Sequence, residues 1–99
     1  EDARALEEAG CFAIVLEKIP ADLAAKVAKE VTIPIIGIGA GNGVDGQVLV
    51  VHDMLGINNE FSLRFLRKYH NLFQEMLGSF QRYIEDVKSG DFPNEEEQY

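Results

Sequence analysis

Only one of the 99 residues is a cysteine, Cys11. One thiol cannot close an intrachain disulfide and cannot furnish a multi-cysteine zinc site. Between Gly10 and the apolar pair Phe12-Ala13 it reads as a small buried hydrophobe rather than a nucleophile. Basic residues are also scarce: 9 Lys and Arg stand against 17 Asp and Glu, a formal net charge of −8. A phosphate-binding surface needs clustered cations, and the longest basic run is Arg67-Lys68, so nucleic acid is not an expected partner. The two histidines, His52 and His70, form no H-E-x-x-H or H-x-H pattern, so neither is assigned to a metal. No apolar run approaches the roughly 20 residues needed to cross a bilayer, so no membrane partner is expected. The start carries no initiator Met and no secretory signal pattern. It opens in what reads as mid-helix, EDARALEEAG, and is expected to belong to something longer.

What is present is ordinary globular material. The chain is 46% hydrophobic and 26% charged, which excludes disorder throughout. Its length suits one domain or less, and a complete eight-stranded β/α barrel needs about 250 residues. Asp91, Glu95, Glu96 and Glu97 supply half of the negative balance, so residues 91–99 read as a solvated acidic tail.

The apolar pattern alternates between two periods. Residues 1–9 read as a helix with Ala5, Leu6 and Ala9 on one stripe and Gly10 as its stop. Phe12-Ala-Ile-Val-Leu16 is an apolar run of strand length, expected to be buried on both faces as a parallel strand is. A helix over 20–30 follows, then a second buried strand at 34–38. This order is the βαβ signature of a parallel sheet. A glycine-rich loop, GIGAGNGVDG, runs from Gly37 to Gly46. Residues 47–51, QVLVV, favour a strand, with a short buried helix as the alternative. Residues 62–88 keep helical spacing and predict one long amphipathic helix, or two split near Gly78. Its aromatic stripe is expected in a core or a subunit interface. Gly90 ends it, and Pro93 prevents resumption.

Three features could carry chemistry. Glu17 ends the first strand, where α/β proteins place reactive groups. Taken by itself it reads first as a side chain marking the strand's exit to water, paired with Lys18, and second as a general base. Gly41-Asn-Gly43-Val-Asp-Gly46 matches G-x-G-x-x-G, a weak sign of dinucleotide binding because VLVV is a poor helix start. The other readings of the loop are a tight turn and a backbone-lined wall of an active site. His52-Asp53, at the end of a strand, would point to opposite faces and could not share a site.

The segments LEK at 16–18, IPIIGIGAGNGVDGQVLVVHDMLGI at 33–57 and FPNEEEQY at 92–99 together closely resemble the ketopantoate hydroxymethyltransferase family. The resemblance covers essentially the whole chain in collinear order. It implies an α/β fold in which residues 1–99 are the C-terminal portion, about strands six to eight plus terminal helices, of a (β/α)8 TIM barrel. It implies a homodecamer and a cytoplasmic location, or a mitochondrial one in a eukaryote. It implies transfer of a hydroxymethyl group from 5,10-methylenetetrahydrofolate to 3-methyl-2-oxobutanoate, a step toward pantothenate. In such enzymes Mg²⁺ chelates the keto acid and acidifies its C3, and a glutamate removes the proton. The matching position is Glu17. The family's metal ligands and its substrate-binding Ser and Lys have no counterpart here and are expected in an N-terminal half. The 99 residues alone are therefore expected to be inactive and to expose strand edges. The glycine loop is expected to shape the top of the barrel on the folate side. The alternatives are a small nucleotide-binding module built on that loop and a helical interaction module built on the aromatic stripe.

Overall fold

The computed structural model describes residues 1–99, which divide into two compact units. One comprises Glu1–Val50 with Leu63–Leu66; the other comprises Val51–Ser62 with Arg67–Tyr99.

In the first unit, helix α1 (Asp2–Glu8), strand β1 (Ile14–Glu17), helix α2 (Ala21–Glu30), strand β2 (Ile35–Ile38) and the two-residue strand β3 (Gly46–Gln47) follow in turn. The predicted alternation is present, and the strands pair in parallel in the order β1-β2-β3. Pro20 leads directly into α2, where its missing N–H leaves no helical bond unmade.

Register decides which side chains share a face. Ile14 lies opposite Ile35, and Leu16 opposite Gly37. Ile14 and Ile35 join Val31 in the core, with Ala3, Val27 and Ala28 of the helices packed against them. The intervening residues, Val15 opposite Ile36 and Glu17 opposite Ile38, belong to the other face. There Val15 is 61% exposed. Phe12, expected inside the strand, precedes it and is 89% exposed. The expectation that β1 is buried on both faces is thus corrected: its helical side is covered, and its other side is open. Cys11, expected to be buried, is half-buried.

The predicted strand over 47–51 is also corrected. β3 ends at Gln47, and Val51 already begins a helix. The reason lies in the partner. Ile36 and Gly37 of β2 face Gly46 and Gln47, and Gly37 accepts one more bond from Val48 N–H at 3.0 Å. Beyond Ile38, Gly39 turns away at φ 66°, so β2 offers no further ladder.

The second unit contains helix α3 (Val51–Met54), helix α4 (Leu72–Ser89) and a 3₁₀ turn at Glu95–Glu97. His52 and Asp53 therefore sit on a helical turn, and the opposite-faces argument for a strand does not apply to them. The long helix predicted from 62 begins only at Leu72. The backbone ahead of it is committed elsewhere: Tyr69 N–H donates to Met54 C=O at 2.7 Å and Leu72 N–H to Leu55 C=O at 3.0 Å. The helix is unbroken at Gly78, a position that costs about 1 kcal/mol against alanine and is tolerated. It ends at Gly90, which takes the left-handed φ of 82°. No α4 side chain is buried, and Phe80 of the aromatic stripe is 63% exposed. Tyr83 meets Phe92 edge-on, with ring centroids 5.6 Å apart. The acidic tail is exposed, and its turn is closed by a reciprocal Asn94–Glu97 capping box.

Candidate active site

The carboxyl ends of β1 and β2 bring together the features singled out in the first unit. Glu17 is the last residue of β1, opposite Ile38 at the end of β2. Its side chain is exposed, beyond the apolar row of Val15 and Ile36. It takes part in neither ion pair of the chain, Arg4–Glu30 or His70–Glu75, so the pairing with Lys18 considered from sequence is not formed. Lys18 follows at φ 53°, a left-handed conformation rare for a non-glycine residue, held by its N–H bond to Ile38 C=O at 2.9 Å.

The glycine loop forms the adjacent wall. At two positions a positive φ and a close neighbour together require glycine. At Gly39, with φ 66°, a Cβ would lie 2.8 Å from the Phe65 ring. At Gly41, with φ 77°, a Cβ would lie 2.5 Å from Cβ of Ala21, the first residue of α2. Side chains at either place would push the loop off its neighbours. Asp45 fastens the far side. Its Oδ2 accepts the N–H of Ile35 at 2.8 Å, and its own N–H donates to Ile35 C=O at 3.0 Å. Gln47 Nε2 donates to Gly41 C=O at 2.8 Å across the loop. The G-x-G-x-x-G sequence runs into β3 rather than a helix, so it offers no helix N-terminus to a pyrophosphate. The loop is a wall, not a dinucleotide cradle.

Sequence reasoning missed Asp45, Arg64 and Phe65. Asp45 is an acidic residue inside a glycine run, a signal of turn chemistry that was available. Phe65 kept helical spacing with its neighbours, and only the structure shows it seated on Gly39. Together Lys18, Ile19, Pro20, Ala21, Gly39, Gly41, Arg64 and Phe65 line an open cavity of about 650 Å³ that begins one residue beyond Glu17.

The ketopantoate hydroxymethyltransferase family model matches residues 1–95. The chain belongs to this family. Its segment is 74% identical over 99 residues to a 3-methyl-2-oxobutanoate hydroxymethyltransferase of Parabacteroides distasonis, and 68% identical over 99 residues to that of Flavobacterium johnsoniae. The protein of the same name from Phocaeicola vulgatus is 68% identical over 98 residues. The first two alignments take in the whole of this chain and the third 99% of it, and each covers 36% of the relative. The chain thus spans about a third of the length of these hydroxymethyltransferases.

Within the family segment, no three His, Cys, Asp or Glu side chains lie close enough to hold a metal ion. His70 Nε2 is 2.9 Å from Glu75 Oε1 in the second unit, a pair rather than a ligand set. These residues therefore do not fit the Mg²⁺ that the resemblance implies, and no step is assigned to an ion held by this chain.

Proposed function

We propose that this chain contributes the general base to an enzyme that moves a hydroxymethyl group from 5,10-methylenetetrahydrofolate to 3-methyl-2-oxobutanoate. The observation that carries the reading is the place of Glu17: an unpaired carboxylate at the carboxyl end of a parallel strand, on the face opposite the helical core. Family membership and the names of the relatives support the reaction class.

Glu17 takes the proton from C3 of the keto acid, and the C–H electron pair moves into an enolate. The enolate carbon then bonds to the one-carbon unit. That carbon's bonds to the folate nitrogens break, and water supplies the oxygen of the new hydroxyl. The two folate nitrogens each take a proton, one from that water and one from Glu17, so the transfer balances and the base is regenerated. A carboxylate suits this work when substrate binding excludes water from it. The open face carrying Val15, Ile36 and Ile38 is where the rest of a β/α barrel would close over the site, and its apolar character supports that architecture. In the same reading the chain is the C-terminal portion of the barrel, the assembly is a homodecamer, and a Mg²⁺ site belongs to residues outside this segment.

The test is a full-length chimera in which this segment replaces its counterpart in the Parabacteroides distasonis relative. Glu17→Gln is expected to abolish solvent exchange of the keto acid's C3 proton and to reduce hydroxymethyl transfer by about 100-fold or more, the lower range for loss of a general base. Exchange at the unsubstituted rate would remove Glu17 from the role.

A further inference from the structure

The cavity beyond Glu17 has a chemistry of its own. Its only charged lining residues are Lys18 and Arg64, and no carboxylate shares the wall. Neither cation enters an ion pair, and neither side chain makes a hydrogen bond within the protein. Two unpartnered cations at one apolar cavity would repel each other without an anion to bring them together. The rest of the lining is apolar: Ile19, Pro20, Ala21 and the ring of Phe65. That ring is a fixed wall, because Gly39 lets it sit directly on the loop backbone. Lys18 is held in its left-handed conformation by the bond to Ile38, and such strained positions cluster at ligand sites.

We infer that this cavity takes the aminobenzoyl-glutamate end of the folate co-substrate, with the benzoyl ring against Phe65 and the two glutamate carboxylates on Lys18 and Arg64. This rests on the function proposed above and assigns to that site the residues that select the folate. The keto acid fits the cavity poorly. It is a small monocarboxylate without a ring, whereas the volume of about 650 Å³ is that of a pocket for a drug-sized ligand. The aromatic dianion matches the wall, the volume and the number of cations.

The test uses the full-length chimera and p-aminobenzoyl-glutamate as the probe, titrated calorimetrically. Lys18→Asn retains a residue that tolerates positive φ, and Arg64→Gln retains most of the side chain's bulk. Each is expected to weaken the probe about tenfold, as loss of one charge-assisted contact does. The KM for the folate should rise by a similar factor. Keto-acid affinity and C3 proton exchange should stay unchanged, and Arg64→Lys should recover part of the loss. p-Aminobenzoate, which lacks the glutamate, should bind weakly and respond little to either change. Three results overturn the inference: no saturable binding of the probe to the unsubstituted protein, unaltered affinity in both variants, or an equal loss of keto-acid affinity. Absence of C3 exchange in the unsubstituted chimera would instead refute the proposed function, and the titration would still decide the site.

Discussion

Replacing Asp45 by alanine removes the fastening between the glycine loop and the sheet. Asp45 Oδ2 lies 2.8 Å from the N–H of Ile35, the first residue of β2. Ile35 is wholly buried but Asp45 is exposed, so water can take part of the carboxylate's place once it is gone. Loss of a hydrogen bond to a charged partner costs about 1.5–3 kcal/mol, and water's access to the freed donor places the change toward the lower end. The reciprocal bond from Asp45 N–H to Ile35 C=O uses backbone atoms and survives the substitution, which keeps the loss from exceeding that range. An expected loss of about 2 kcal/mol follows. Asp45→Asn keeps an acceptor oxygen in place and forfeits only the charge, so about half that loss is expected. Urea unfolding of the full-length chimera measures both, with an unchanged m-value showing that stability alone has moved. If alanine and asparagine cost the same, or alanine costs less than about 0.5 kcal/mol, the clamp does not hold β2 and the reasoning fails.

Gly41→Ala should destabilise the protein by about 2 kcal/mol or more, because it forces an L-residue to positive φ and drives its methyl into Ala21. Pairing it with Ala21→Gly should recover the steric part and leave the conformational part; a neutral single variant in the same urea assay would contradict the geometry. Glu7 accepts the Thr32 hydroxyl at 2.6 Å and the Thr32 N–H at 2.7 Å, and these bonds hold its carboxyl below the ordinary value of 4.5. A lowered folded value means that the contribution is complete above pH 4.5 and is lost as pH falls through the folded value. Thr32→Val should therefore flatten the fall in stability below that pH, and an identical acid slope in wild type and variant would reject the assignment.

Much of the first unit was legible in the chain itself. The two apolar runs ended where polar or left-handed residues stop a strand, and the helices began and ended near Pro20 and Gly10. Glu17 was legible because its place depends on strand order alone. The second unit was less so. Residues 62–71 have helical spacing, yet Tyr69 and Leu72 give their N–H groups to the carbonyls of Met54 and Leu55. Periodicity reports which side chains could share a face, and it is silent on which backbone groups are already taken. The same blindness made QVLVV look like a strand when β2 had only two residues left to pair with it.

The sequence by itself determined the family, the parallel βαβ order and the position of the carboxylate at the end of β1, because local propensity and a long collinear motif suffice for these. Only the tertiary structure decided how long β3 is, which face of β1 stays open, and that Asp45 clamps β2. It also decided that Lys18, Arg64 and Phe65 meet at one cavity. Each of these depends on a partner distant in the chain: a strand exists only where a neighbour offers its ladder, and a cavity only where separate segments leave one.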